Sequence, residues 1–219
     1  MTDEKGVIQF ECRWIRAGPP SRGAVAQLNY WRGKLHDLGL VGVTDDCVGY
    51  GNMSVREVGS ESFVITGTQT GNVRATGAAH YTRVVDFCLT RNRLTCVGPV
   101  EASSEAMTHG IVYRCRSTAH AVVHIHSPEL WQALKGVAPT TDERVEAGTP
   151  GMAREVERVL AVPGAAARRL IVMGGHRDGL LAFGVSLEDA ANAVISAVSA
   201  VGFEPPGPRN LEKCAPPVR

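Results

Sequence analysis

The sequence predicts an α/β fold in which a mixed, mostly antiparallel sheet carries helices on both faces. Apolar residues recur at helical spacing in separate segments, and the strand-like runs between them are joined by turns too short for parallel crossovers. Neither G-x-G-x-x-G nor G-x-x-x-x-G-K-[ST] occurs, so a doubly wound nucleotide-binding fold has no support.

Taken in order, "AVAQLNYWRGKLHDLGL" (24–40) spaces Leu28, Trp31, Leu35 and Leu38 as one face of a helix, with Gly39 as its stop. "YGNMSVRE" and "SFVITGTQTGN" read as a strand pair, and "HYTRVVDFCLTRNRLTCVG" as two more strands turning at "RNR". A helix follows in "EASSEAMTHGIVYRCRST", with Ser103 or Ser104 as its cap. It leads into the strand "AVVHIH" (121–126). Thr149 and Pro150 open another helix, and "RRLIVMGGHRDGLLAFG" reads as two short strands split by a turn. The closing helix "SLEDAANAVISAVSAVG" has Ser186 and Asp189 at capping-box spacing.

A chain of 219 residues forms one domain without strain, here 1–219. The Pro/Gly-dense ends, about 1–23 and 204–219, are expected to be loose around a body from about Ala24 to Phe203. With 23 basic and 22 acidic residues the net charge is +1, and no basic stripe is interleaved with aromatics, which argues against a nucleic-acid partner. The acidic N-terminus is unlike a signal peptide and no apolar run reaches membrane-spanning length, so a soluble cytoplasmic protein with no membrane partner is expected. The six cysteines show no C-x-x-C spacing and read as reduced, mostly buried thiols.

Chemistry concentrates in "AVVHIH". Strand alternation sets His124 and His126 on one face and Val123 and Ile125 on the other. Two neighbouring imidazoles can hold a metal ion or simply form the polar face of a strand, and H-x-H alone does not decide. Of the other five histidines, His176 lies in a glycine turn at the end of an apolar strand. His36 falls on the polar side of the first helix, His80 and His120 in turns, and His109 one helical turn after Glu105. Glu105 follows two serines at a helix start, where the dipole and free N–H groups favour anions. Three histidines with one displaceable carboxylate make a workable Lewis-acid site. Residue types do not separate that role for Glu105 from an ordinary first-turn acid.

Read together, "GNMSVR" (51–56), "ITGTQTG" (65–71), "SSE" (103–105) with His109, "AVVHIH" and His176 resemble the class II aldolase/adducin family over nearly the whole chain. The resemblance implies the family's three-layer α/β fold. It implies that His124, His126 and His176 bind a divalent metal, usually zinc, with manganese, cobalt or nickel as other options, and that Glu105 is the acid/base. It also implies that Gly51, Asn52, Ser54, Thr66, Gly67, Ser103 and Ser104 line a pocket for phosphate or an equivalent anion. The activity implied is that of a lyase: aldol cleavage or formation of a small hydroxy-carbonyl compound, a sugar phosphate, through a metal-stabilised enediolate. A homotetramer with interfacial active sites is implied as well. A dehydratase or 4-epimerase would use the same site. A non-catalytic adducin-like module would not need the three histidines and Glu105 that are present here.

The chain departs from the family pattern in three places. It has "TGTQTG" for T-P-[ST]-G and "GGHRDG" for N-H-G, and no tyrosine stands between His126 and Gly148, where fuculose-phosphate aldolase uses one from a neighbouring subunit. His109, Thr140, Thr141 or water is expected to supply the proton instead.

Overall fold

Strand β1 (Glu11–Arg16) lies within the stretch expected to be a loose end. It pairs in parallel with a strand more than eighty residues away, from Glu11 opposite Arg93 to Arg16 opposite Gly98. Local composition cannot disclose such a partner, and only the Pro/Gly segment after Arg16 is a plain connection. The computed structural model describes residues 9–164 and 169–202, so the first eight residues and the loose end expected over 204–219 lie outside the described residues.

Helix α1 (Arg22–Asp37) is capped by the Ser21 hydroxyl and buries Val25, Leu28 and Leu35. The two-residue strands β2 (Gly42–Val43) and β3 (Gly49–Tyr50) form a small separate ribbon. Strands β4 (Asn52–Arg56), β5 (Phe63–Thr66), β6 (Tyr81–Cys88) and β7 (Arg93–Gly98) then pair successively antiparallel, as expected. The β6–β7 turn places Asn92 at φ +48°, within the "RNR" foreseen as the turn. Next come α2 (Ala106–Cys115), β8 (Ala121–His126), α3 (Pro128–Leu134), α4 (Pro150–Ala161), β9 (Leu170–Val172), β10 (Gly179–Gly184) and α5 (Leu187–Ala200). The main sheet runs β1-β7-β6-β5-β4-β8-β10-β9, and β1–β7 is its parallel pair.

Two apolar layers hold this sheet between helices. On one face α2 and α4 contribute Ile111 and Val156 to a core with Phe63, Ile65 and Leu181. On the other, α1, α3 and α5 bring Leu28, Leu130 and Val194 against Val123, Ile125 and Ala182. Each large apolar side chain among these, fully buried, contributes about 1.5–3 kcal/mol.

The caps at Thr149 and Ser186 form as expected. Asp189, however, accepts from Val185 N instead of closing a capping box on Ser186. Neither Ser103 nor Ser104 caps α2: Glu105 occupies that position, because the Ser103 amide donates to Thr66 O and so continues the strand-like path. Helix α3 was not foreseen, although its Ser127-Pro128 start repeats the signal of Thr149-Pro150. Cys12, Cys88, Cys96 and Cys115 are free thiols, whereas Cys47, exposed in the β2–β3 turn, is disulfide-bonded, contrary to the expectation of reduced thiols throughout. Among the described residues no helix is long and apolar enough to cross a membrane.

Candidate metal centre and active site

The central strand β8 carries the two histidines of the H-x-H. It lies between β4 and β10, with Asn52 and Leu181 opposite His124 and Gly179 opposite His126. Gly51 turns the chain into β4 at φ +76°, where a Cβ would stand 3.2 Å from His124 O and 2.8 Å from Val41 Cγ2. Glycine is needed there both for its conformation and for its size. The third histidine arrives on the β9–β10 turn. Its glycines press against residues 141–145 so closely that a Cβ on Gly174 would lie 2.2 Å from Thr141 O, and one on Gly175 only 1.9 Å from Val145 O. "GGH" is therefore a steric requirement for bringing His176 back over β8.

His124, His126 and His176 converge, each offering a ligand nitrogen within 4.8 Å of the others. The Nε2 atoms of His124 and His126 are 3.2 Å apart, and two nitrogens bound at about 2.0–2.1 Å to one tetrahedral ion lie about 3.3 Å from each other. His124 Nδ1 stands 3.0 Å from Leu180 O. A proton on Nδ1 would complete that hydrogen bond and leave the Nε2 lone pair for a metal, the usual arrangement behind a metal-bound histidine. Burial lowers His124 to about 4 and so keeps it neutral, as ligation requires. On these observations the three side chains fit a divalent cation.

Glu105 stands beside them, with Oε1 3.7 Å from His176 Nδ1. The carboxyl is pushed up to about 7 by burial, against a smaller pull from the Thr108 hydroxyl and the Gly148 backbone. Among the described residues its Oε2 has no hydrogen-bond partner within 3.5 Å, and the same holds for the buried Asn52 Oδ1 and His109 Nε2. Native interiors rarely leave such atoms unsatisfied, and their gathering near His124 suits a polar ligand.

The residues expected to line an anion pocket divide into two groups. Gly51, Asn52 and Glu105 meet at the histidines. Gly67, Ser103 and the half-buried Ser104 lie where the 66–71 loop meets the chain before α2, through a Gly67–Ala102 bridge and Thr68 N donating to Glu101 O. Ser54 and Thr66 face inward instead. Ser54 Oγ is fully buried, 2.8 Å from His109 Nδ1 and 2.6 Å from Tyr113 Oη. Thr66 Oγ1 accepts from Met53 N. Both shape the site from behind and do not line it. The proton donors suggested for the missing tyrosine also have internal partners: His109 in that buried chain, Thr140 donating to Ala138 O, and Thr141 accepting from Gly174 N.

Two contributors escaped the sequence reading. Tyr50 packs its ring 5.3 Å from that of His126, and its place just before "GNMSVR" was the available signal. Arg32, only 1 % exposed, reaches from α1 to donate to the carbonyls of Thr70 and Val73 at 2.7 and 2.5 Å, with longer contacts to Gly71 and Arg74. A lone arginine inside an amphipathic helix gave no sign of this. His80 bonds to Gly77 locally, His120 is exposed, and His36 is half-buried on α1.

The model of the class II aldolase and adducin N-terminal domain matches residues 34–202. The chain belongs to the class II aldolase and adducin family. Among solved structures, it resembles the L-fuculose-1-phosphate aldolase of Thermus thermophilus at 20 % identity and a TM-score of 0.59, over 82 % of this chain and 91 % of that one. A sugar-phosphate aldolase from Thermotoga maritima matches at 15 % identity and a TM-score of 0.63, over 83 % and 93 %. The N-terminal class II aldolase domain of a conserved Thermoplasma acidophilum protein matches at 17 % and 0.55, over 85 % and 95 %. At these identities the likeness establishes the family's fold. No curated protein matches the sequence.

Proposed function

We propose that this family member is a divalent-metal-dependent lyase of aldolase type, breaking or making a C–C bond in a small hydroxy-carbonyl compound, with a sugar phosphate as substrate class. The observation that carries the reading is the convergence of His124, His126 and His176 with the Glu105 carboxylate 3.7 Å from His176. When bound there, zinc or another divalent ion would supply Lewis-acid stabilisation of negative charge developing on substrate oxygens.

The remaining roles belong to the chain. His124, His126 and His176 would hold the cation, and the close-packed turn at Gly174 and Gly175 fixes the third of them. Glu105 Oε2, buried without a hydrogen-bond partner, takes the proton from the carbon beside the substrate carbonyl and returns it there. Asn52 and Ser104, with the main chain around Gly67 and Ser103, receive the anionic end, where small donors allow close approach. The hydroxyl that becomes the aldehyde oxygen gives up its proton in cleavage and regains it when the bond forms; Thr140 already donates its hydroxyl to Ala138 O, and the exchange is assigned to water. A homotetramer with interfacial sites and a cytoplasmic setting belong to the same reading, which the family resemblance supports.

The decisive experiment incubates metal-loaded protein with a panel of aldehydes and dihydroxyacetone phosphate, dihydroxyacetone or pyruvate. A new C–C product is expected, whereas dehydrated or inverted product alone would overturn the aldolase assignment. Glu105→Gln should keep its metal while exchange of the substrate α-proton with deuterated solvent slows about 10²–10⁴-fold. Exchange at the wild-type rate would remove Glu105 from the role.

A further inference from the structure

Away from the histidines, at the far edge of the sheet, two thiols from opposite ends of the sheet's longest-range pairing touch. Cys12 on β1 and Cys96 on β7 bring their Sγ atoms to 3.7 Å. The parallel register sets Cys12 opposite Leu94 and Trp14 opposite Cys96, so all four side chains share the face covered by α2 and α4. Cys12 is partly exposed and Cys96 is buried behind it. The other free thiols of the described residues, Cys88 and Cys115, have no thiol beside them; Cys88 contacts the Thr90 hydroxyl.

We propose that Cys12 and Cys96 are a redox-reactive pair, a modification site that hydrogen peroxide converts to a disulfide joining β1 to β7. The sulfur of Cys12, the more exposed residue of the two, attacks a peroxide oxygen and breaks the O–O bond, giving Cys12 sulfenic acid and water. The Cys96 sulfur then attacks the Cys12 sulfur and expels its hydroxyl group, which leaves as a second water with the Cys96 proton. Two thiols and one hydrogen peroxide thus yield one disulfide and two waters, the sulfurs being oxidised and the peroxide reduced.

The link requires a shift of the strand that carries Cys12. The sulfurs must close from 3.7 Å to about 2.05 Å, the length of an S–S bond. Among the described residues β1 is an edge strand paired on one side only, so it can yield. The hydrogen bond between the thiols lowers Cys96 to about 7 and raises Cys12, so Cys96 gives up its proton the more readily and is suited to attack the sulfenic acid on Cys12 as a thiolate.

The test treats the folded protein with hydrogen peroxide, alkylates the remaining thiols and maps the peptides by mass spectrometry. A Cys12–Cys96 linked peptide, lighter by two hydrogens and separated again by dithiothreitol, is expected, with Cys88 and Cys115 still alkylated. The oxidised protein should also melt at a higher temperature than the reduced one, and Cys12→Ser should abolish that difference. If Cys12 and Cys96 both remain alkylatable while Cys88 or Cys115 is oxidised, or if either goes to sulfinic acid without forming the link, the pair is only a packing contact. Neither readout depends on metal or turnover, so the result stands apart from the proposed lyase.

Discussion

The two faces of strand β8 come from the same six residues and have opposite characters. On one, Ala121, Val123 and Ile125 lie fully buried among Leu28 of α1 and Val194 of α5, with no polar atom of their side chains to satisfy. On the other, Val122 continues the apolar layer under α2, and then His124 and His126 replace it with nitrogen atoms. The apolar face is specified by volume, so another residue of similar size and shape could serve. The polar face is specified by atom: Nε2 of His124 has a position set by Leu180 O behind it and His126 in front. Stability and function are therefore separated by a single strand's alternation.

That separation can be broken in a graded way. The largest effect is expected from His124→Leu, which keeps an apolar side chain on the strand but should reduce bound divalent metal from stoichiometric to near none by elemental analysis. A variant that still bound metal fully would dissolve the distinction. Ile125→Ala should do the reverse, costing about 2–5 kcal/mol in urea unfolding while metal per folded chain stays unchanged.

A smaller loss, about 1–3 kcal/mol, is expected for Ser54→Ala, which strands the buried His109 Nδ1 and Tyr113 hydroxyl without their shared partner. The comparison sharpens further with pH in chelator-treated protein. Burial lowers His124 to about 4, and an unfolded histidine titrates at about 6.5. Between those values the unfolded state binds more protons. The contribution is therefore complete above about pH 6.5 and is lost as pH falls toward 4, with a slope of at most about 1.4 kcal/mol per pH unit. His124→Leu should remove this share of the dependence in unfolding titrations, leaving that of His109, lowered by burial in the same direction, and the opposite one of Glu105, raised to about 7, whereas Ile125→Ala should shift the curve without changing its slope.

Local periodicity made β8 legible, because alternation in "AVVHIH" states which residues share a face. The turn in "GGH" was legible as well, since paired glycines mark a close approach. What stayed hidden depended on partners far along the chain. Ser54 could be assigned to the site's neighbourhood, but its partners His109 and Tyr113 are 55 and 59 residues away, and a strand pattern does not say which helix covers which face. β1 was missed for the same reason: its partner β7 lies more than eighty residues away. Helix α3 spans seven residues, too short for a hydrophobic repeat to show. Glu105 remained ambiguous because a first-turn acid and a buried acid beside histidines look alike until the fold brings His176 to it.

Arg32 explains how the second half of the loop beside this site can vary in sequence. Its guanidinium holds Thr70, Gly71, Val73 and Arg74 only through their carbonyls, and every residue type has a carbonyl. The grip is on main chain alone, so the course of the 70–74 segment is dictated from helix α1 and is largely indifferent to the side chains it carries. Side-chain changes within 70–74 would leave that grip in place, whereas the first half of "TGTQTG" is held by the neighbouring main chain, Gly67 N donating to His80 O and Thr68 N to Glu101 O.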